Sequence, residues 1–152
     1  MFYGKWLKFG EDLTDAWKVR TEVFTKEQGF SQEDDRDEMD KMSWHCVLYD
    51  EDGPFATGRI YYQDMWRIGR ICVLKEKRRQ GFGDLVVRML LDCALQHSAP
   101  KVGLHAQIQA IEYYSRYGFV QVGEPFLDAG KEHVEMVIDR ETIQNRVFAH
   151  HH

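Results

Sequence analysis

The order of apolar and polar positions along the chain predicts alternating strands and helices. Phe2 to Leu7 reads as a first strand. Leu13, Ala16, Trp17, Arg20, Val23 and Phe24 recur at helical spacing and predict a helix from about Asp12 or Thr14 to Lys26. Residues 30–43 carry no such period and read as irregular. Trp44 to Tyr49 and Phe55 to Tyr62 predict a hairpin turning about Asp52-Gly53, and Arg67 to Leu74 continues the meander as a fourth strand. Phe82, Val86, Met89, Leu90, Cys93 and His97 share one face of a main helix that Pro100 cannot continue. At the end of that helix, His97 reads as a cation rather than a catalyst. Val102 to Ala106 is a fifth strand, and a short helix follows to Tyr117. Phe119 to Val122 and His133 to Ile138 close the sheet. The strand–helix–strand unit 67–106 predicts a right-handed parallel crossover.

Composition narrows the class of molecule. At 152 residues, one domain over 1–148 with a sizeable core is expected. The chain is 43% hydrophobic and 30% charged, as globular proteins are. No apolar run reaches the length of a membrane span, and the N-terminus lacks the pattern of a secretory signal. The 3 cysteines, Cys46, Cys72 and Cys93, cannot all pair within one chain and lie in apolar patterns. Buried free thiols in a reducing, cytoplasmic setting are expected. No Cys/His spacing reads as a metal site, so no metal is expected. A net charge of -5 argues against nucleic acid as a partner. Glu33, Asp34, Asp35, Asp37, Glu38 and Asp40 crowd one stretch with Arg36 as its only cation, which reads as a solvated mobile loop or as a lip that steers a cationic amine. Residues 149–152, ending in three histidines, read as a purification-tag remnant.

The strongest chemical signal lies between Ile71-Cys72-Val73-Leu74 and the main helix. There the chain runs Arg78-Arg79-Gln80-Gly81-Phe82-Gly83-Asp84. Glycines permit φ > 0 and close backbone approach. The first helical N–H groups have no internal partner and favour an anion, and the arginines add forked donors. This reads as pyrophosphate capture. The run lacks the Gly-Lys-Ser/Thr of a P-loop and the third glycine of a dinucleotide fingerprint, since position 86 is Val86.

What remains, Arg-x-x-Gly-x-Gly after a strand, resembles the acyl-CoA loop of the GNAT N-acetyltransferases. Downstream, Gln107, Ala110, Tyr114, Gly118 and Phe119 match the family's Asn-x-x-Ala, Tyr, Gly-Phe spacing, with Gln107 in place of the usual Asn. The run from Arg20 through Val23-Phe24 to Glu27-Gln28, followed by Asp37, Asp40 and His45, resembles the small bacterial ElaA-like or YjcF-like branch. Leu104-His105-Ala106-Gln107 and the tail from Phe126 to His133 are similar to that branch as well. The resemblance implies the acyl-CoA N-acyltransferase fold. That is an α/β (α+β) mixed sheet of about six to seven strands flanked by about four helices, with strands 4 and 5 parallel and splayed.

The resemblance also implies chemistry. Acetyl-CoA is the expected acetyl donor, and a small-molecule or peptide primary amine the acceptor, attacking directly in a ternary complex. Ile71, Cys72 and Val73 would pair with pantetheine, and Arg78 to Asp84 would hold the pyrophosphate. Gln107, Ala110 and Tyr114 would complete the cofactor site. Tyr114 would protonate the leaving thiolate: a phenol (pKa ≈ 10) is protonated at neutral pH, and a thiol near 8.5 needs a proton to leave cleanly. Cys72 as an acyl carrier is discounted, since nothing near it in sequence lowers its pKa. The base that deprotonates the amine is expected among Glu27, His45, His105 and His133, with Glu27 and His133 first. Arg20, Glu27, Gln28, His45, His105 and His133 form the substrate-side set. Arg20 would hold a substrate carboxylate, pair with Glu27 two helical turns on, or lie on the helix surface. The alternative is a CoA-binding regulatory module without turnover. A monomer or homodimer fits either reading.

Overall fold

The computed structural model describes residues 1–149; residues 150–152, most of the expected tag remnant, lie outside the described residues. The chain forms one seven-stranded mixed sheet of strand order β1-β2-β3-β4-β5-β7-β6. The strands are β1 Tyr3–Leu7, β2 Trp44–Asp50, β3 Gly53–Gln63, β4 Met65–Val73, β5 Lys101–Gln107, β6 Val120–Asp128 and β7 Lys131–Asp139. The described helices are α1 Thr14–Arg20, α2 Gln32–Asp35, α3 Phe82–Gln96, α4 Ile111–Ser115 and α5 Arg140–Thr142. The strands and the main helix match the sequence reading to within a few residues. The final hairpin is longer than read, because Gly123 and Pro125 conceal the continuation of β6.

The chain divides into two compact units. The first comprises Met1–Tyr62 and Ile68–Leu90. Antiparallel β1, β2 and β3 belong to it, and β2 and β3 bury nearly every residue in their centres. Gly58 on β3 lies close under α3: a Cβ there would come within 2.7 Å of Val86 Cγ1 and 2.8 Å of Leu90 Cδ1. α1 does not end at Arg20. It widens into π-helical turns over Thr21–Glu27, where Gln28 N–H donates to the Val23 carbonyl at 3.1 Å. Residues 30–43, which have no period, hold two short turns with side-chain caps, from Ser31 at α2 and from Asp37 at the 3₁₀ turn Glu38–Met42. The cap residues were visible in sequence, but the turns are too short for hydrophobic periodicity to register.

The second unit comprises Gln63–Arg67 and the chain from Leu91. Here β4 and β5 pair in parallel at Trp66↔Val102 and Arg67↔Gly103. β7 pairs antiparallel with β5 on one side and with β6 on the other, with a bulge between Val122 and Phe126. Val102, Leu104, Ala106, Val134, Met136 and Ile138 are buried, while residues between them on β5 and β7 turn the other way. Gly118 ends the helical segment with φ +113, and a Cβ there would meet Thr142 Cγ2 at 2.5 Å. Among the described residues no helix is long and apolar enough to cross a membrane.

Candidate active site

In the first unit, the turn from β4 to α3 reverses the chain at two residues in the left-handed region. Arg79 (φ 64) and Gly81 (φ 86) both adopt the left-handed region. This reverses the chain so that α3 begins at Phe82, its first helical bond running from Leu85 N–H to the Gly81 carbonyl at 3.0 Å. Gly81 has the freedom for this; Arg79 is strained by it. The Phe82 ring anchors the turn edge-on against Phe2 and Phe55, with centroids 5.0 and 4.7 Å away. Arg78, Arg79, Gln80 and Gly81 are exposed, so the start of the helix is open to a ligand. Asp84 turns its carboxylate onto Arg88, at 2.9 Å.

Arg78 is not a loose cation. It grips Glu27 with both terminal nitrogens, at 3.0 and 2.6 Å, and donates through Nε to the Val73 carbonyl at 2.9 Å. The Arg78 hydrogen bond outweighs the little desolvation present and holds the Glu27 carboxyl below its usual range. A carboxylate so paired is a weaker base than a free one. Gln28, beside it, closes the π-helical segment. Ile71 and Val73 are half-buried. The Cys72 thiol is buried, and burial pushes its pKa far up, so it is no nucleophile.

Arg20 corrects the sequence reading. It is fully buried and meets neither Glu27 nor solvent. Its guanidinium bonds Asp40 at 2.7 Å and Asp35 at 3.2 Å, and also reaches the Asp35 carbonyl. Arg59 joins Asp37 at 2.6 Å and Asp40 at 2.9 Å, and Arg70 bonds Asp37 at 3.1 Å. Trp17 Nε1 donates to Asp40 at 3.0 Å. Burial pushes the Asp40 carboxyl up, but its bonds to Arg20 and the charge of Arg59 prevail and bring it to about 2. The acidic stretch is therefore no mobile loop at Asp35, Asp37 and Asp40. Those three are clamped by Arg20, Arg59 and Arg70, while Glu33, Asp34 and Glu38 stay exposed. His45 is buried, and Nε2 meets the Asp40 carbonyl at 3.1 Å. Burial lowers its pKa and keeps it neutral. It is enclosed with the network, its side chain out of contact with solvent. Sequence reasoning missed Arg59 and Arg70. The signal was an arginine in the middle of each of two predicted strands, which demands a partner wherever such a strand is buried.

The second unit carries the other expected residues. Tyr114 is half-buried, its ring edge-on to Tyr113 and Phe119 at 5.1 and 5.9 Å. Tyr113 and Tyr117 bond each other through their hydroxyls at 2.9 Å. Ala110 is the cap residue just before α4, and Gln107 accepts from Gln109 at 2.8 Å. His133 is buried, with Nδ1 2.9 Å from the Lys131 carbonyl and its ring stacked on Phe126. His105 is exposed, 3.2 Å from Glu135, and Phe126 lies edge-on to it at 4.9 Å. Among the described residues no group of three or more His, Cys, Asp and Glu is arranged to hold a metal ion.

A fold with a parallel β4–β5 pair, an exposed glycine-containing turn between strand and helix, and a Tyr-bearing helix after β5 is that of the acyl-CoA N-acyltransferases. The "Acetyltransferase (GNAT) domain" family matches residues 12–140, and the chain belongs to that family. It is 40% identical over 131 residues to the uncharacterized N-acetyltransferase YjcF of Bacillus subtilis, covering 85% of this chain and 94% of that protein. The crystal structure of Escherichia coli ElaA superposes with a TM-score of 0.80 at 25% identity, covering 91% of this chain and 100% of that one. An acyl-CoA N-acyltransferase from Pseudomonas aeruginosa gives 0.80 at 25% identity, covering 90% and 99%. These likenesses support the ElaA/YjcF-like branch.

Proposed function

We propose that this protein transfers the acetyl group of acetyl-CoA to a primary amine by direct attack, without a covalent enzyme intermediate. The observation that carries this is the exposed turn at Arg79–Gly81. It leads into α3 with its backbone already in an anion-accepting shape. The backbone donors of residues 79–84 take the pyrophosphate, with Arg79 as the exposed charge and Arg78 as the brace that ties the turn to Glu27. Backbone groups of Ile71, Cys72 and Val73 line the pantetheine, and one N–H polarises the thioester oxygen. Losing such a donor typically costs about 2.7–4 kcal/mol of barrier. Gln107 supplies side-chain amide contacts to pantetheine, with Ala110 at the start of the helix that carries Tyr114. Tyr114 hands its phenolic proton to the departing thiolate.

The acceptor is an amine of a small molecule or a peptide. Charge steering by the acidic stretch is limited to Glu33, Asp34 and Glu38, because the buried aspartates are already neutralised by arginine. The test has two stages. Calorimetry with acetyl-CoA measures cofactor binding. Thiol release across polyamines, aminosugars and lysine peptides then measures turnover. Binding with thiol release on at least one amine is the expected result. Binding without release on any amine would make the protein a coenzyme-binding module instead, and no binding at millimolar acetyl-CoA would remove the reading.

A further inference from the structure

On the face of the second unit's sheet opposite its buried residues, three side chains from three strands meet. His105 of β5 lies with Nε2 3.2 Å from Glu135 Oε2 on β7. Arg67 of β4 binds the other oxygen of that carboxylate, Oε1, at 2.9 Å and is itself fixed by donation from Nε to the Gln63 carbonyl at 3.0 Å. Register sets this up, because Arg67 pairs with Gly103 and His105 with Glu135 as direct neighbours across the strands. Gly103 makes the room. A Cβ there would stand 2.8 Å from Met65 Sδ, 3.4 Å from Arg67 Nη1 and 3.5 Å from Glu135 Oε1.

We propose that His105 is the general base that deprotonates the attacking amine, with Glu135 and Arg67 as the residues that position it. This rests on the acetyl-transfer reading above. An ionised carboxylate only accepts hydrogen bonds, so the imidazole must present Nε2–H to Glu135, and its lone pair then lies on Nδ1. Among the described residues Nδ1 has no hydrogen-bond partner, and the side chain keeps 40% of its surface open. Arg67 keeps the carboxylate aligned by occupying its second oxygen. His133 lacks this arrangement: it is 7% exposed, and its Nδ1 faces a backbone carbonyl. Gln107 lies on the same face of β5 as His105, about 7 Å along the strand. The proposed pantetheine contact and the proposed base thus share one surface, with Phe126 as an apolar wall beside the imidazole.

The step balances. The neutral amine forms its N–C bond to the thioester carbonyl and passes a proton to His105 Nδ1. The C–S bond breaks, and the thiolate takes the Tyr114 proton. Solvent then removes the proton from His105 and restores that of Tyr114.

The test begins with an amine that the wild-type protein acetylates. His105→Ala should lower kcat on the order of 10²–10³-fold, leave acetyl-CoA affinity within about 2-fold, and recover at least about 10-fold on addition of imidazole. Glu135→Gln keeps the side-chain shape and should lower kcat about 10-fold, whereas Glu135→Asp should lose less. Nitrogen-15 NMR should find the Nε2–H tautomer at His105 in the wild type and a mixture in Glu135→Gln, a change that a merely structural ion pair would not produce. Turnover by His105→Ala within about 3-fold of wild type would overturn the proposal, as would an Nδ1–H tautomer in the wild type. A wild-type protein that releases no thiol with any amine would instead overturn the acetyl-transfer reading itself.

Discussion

The Tyr114 ring packs edge-on against Tyr113 and Phe119, so Tyr114→Phe removes one oxygen and keeps those ring contacts. Steady-state kinetics should show kcat down on the order of 10²-fold, with the acetyl-CoA KM little changed; an unaltered kcat would take Tyr114 out of the chemistry. Asp40 is the opposite case, a residue whose importance lies wholly in the folded state. It accepts from Arg20, Arg59 and Trp17, all inside the first unit. Asp40→Asn takes one of two carboxylate partners from each of the buried Arg20 and Arg59, leaving them Asp35 and Asp37, and should cost about 3 kcal/mol, read by urea unfolding. Tyr114 and the cofactor turn were legible because fixed spacings of Arg, Gly, Ala and Tyr are local. The role of Arg20 was not, because its partners lie 15 and 20 positions away in a stretch that looks merely solvated. Glu135 was hidden for a related reason: only the β5–β7 register sets it beside His105.

At the scale of elements, the sheet was readable because β2, β3, β5 and β7 carry dense apolar runs bounded by turn residues. The π-helical widening of Thr21–Glu27 was not, because one extra residue per turn barely disturbs the spacing of Val23 and Phe24. The fit of α3 against β3 at Gly58 was invisible too, since a glycine inside a strand reads only as a weak point. Gly58→Ala drives a methyl into Val86 and Leu90 and should destabilise the protein by about 1–3 kcal/mol in thermal or urea unfolding. A neutral effect would mean that α3 can lift away from the strand without cost.

Across the whole molecule, the aspartate–arginine network sets the response to acid. Asp40 titrates at about 2 in the folded protein against an ordinary 3.8, and Asp37 is lowered as well. The unfolded chain therefore binds protons first. The stability these groups contribute is complete above about pH 4 and is lost as pH falls from 3.8 toward 2. Thermal midpoints should accordingly vary little with Asp37 and Asp40 from pH 6 to 4.5 and fall steeply below pH 4. In Asp40→Asn that fall should be shallower. The three cysteines bear on a different practical matter. Cys46, Cys72 and Cys93 are at most 6% exposed, and burial lifts Cys93 to about 11 and Cys72 higher still. Native protein should therefore be nearly silent toward a colorimetric sulfhydryl reagent, so that the colour developing during turnover counts coenzyme molecules alone.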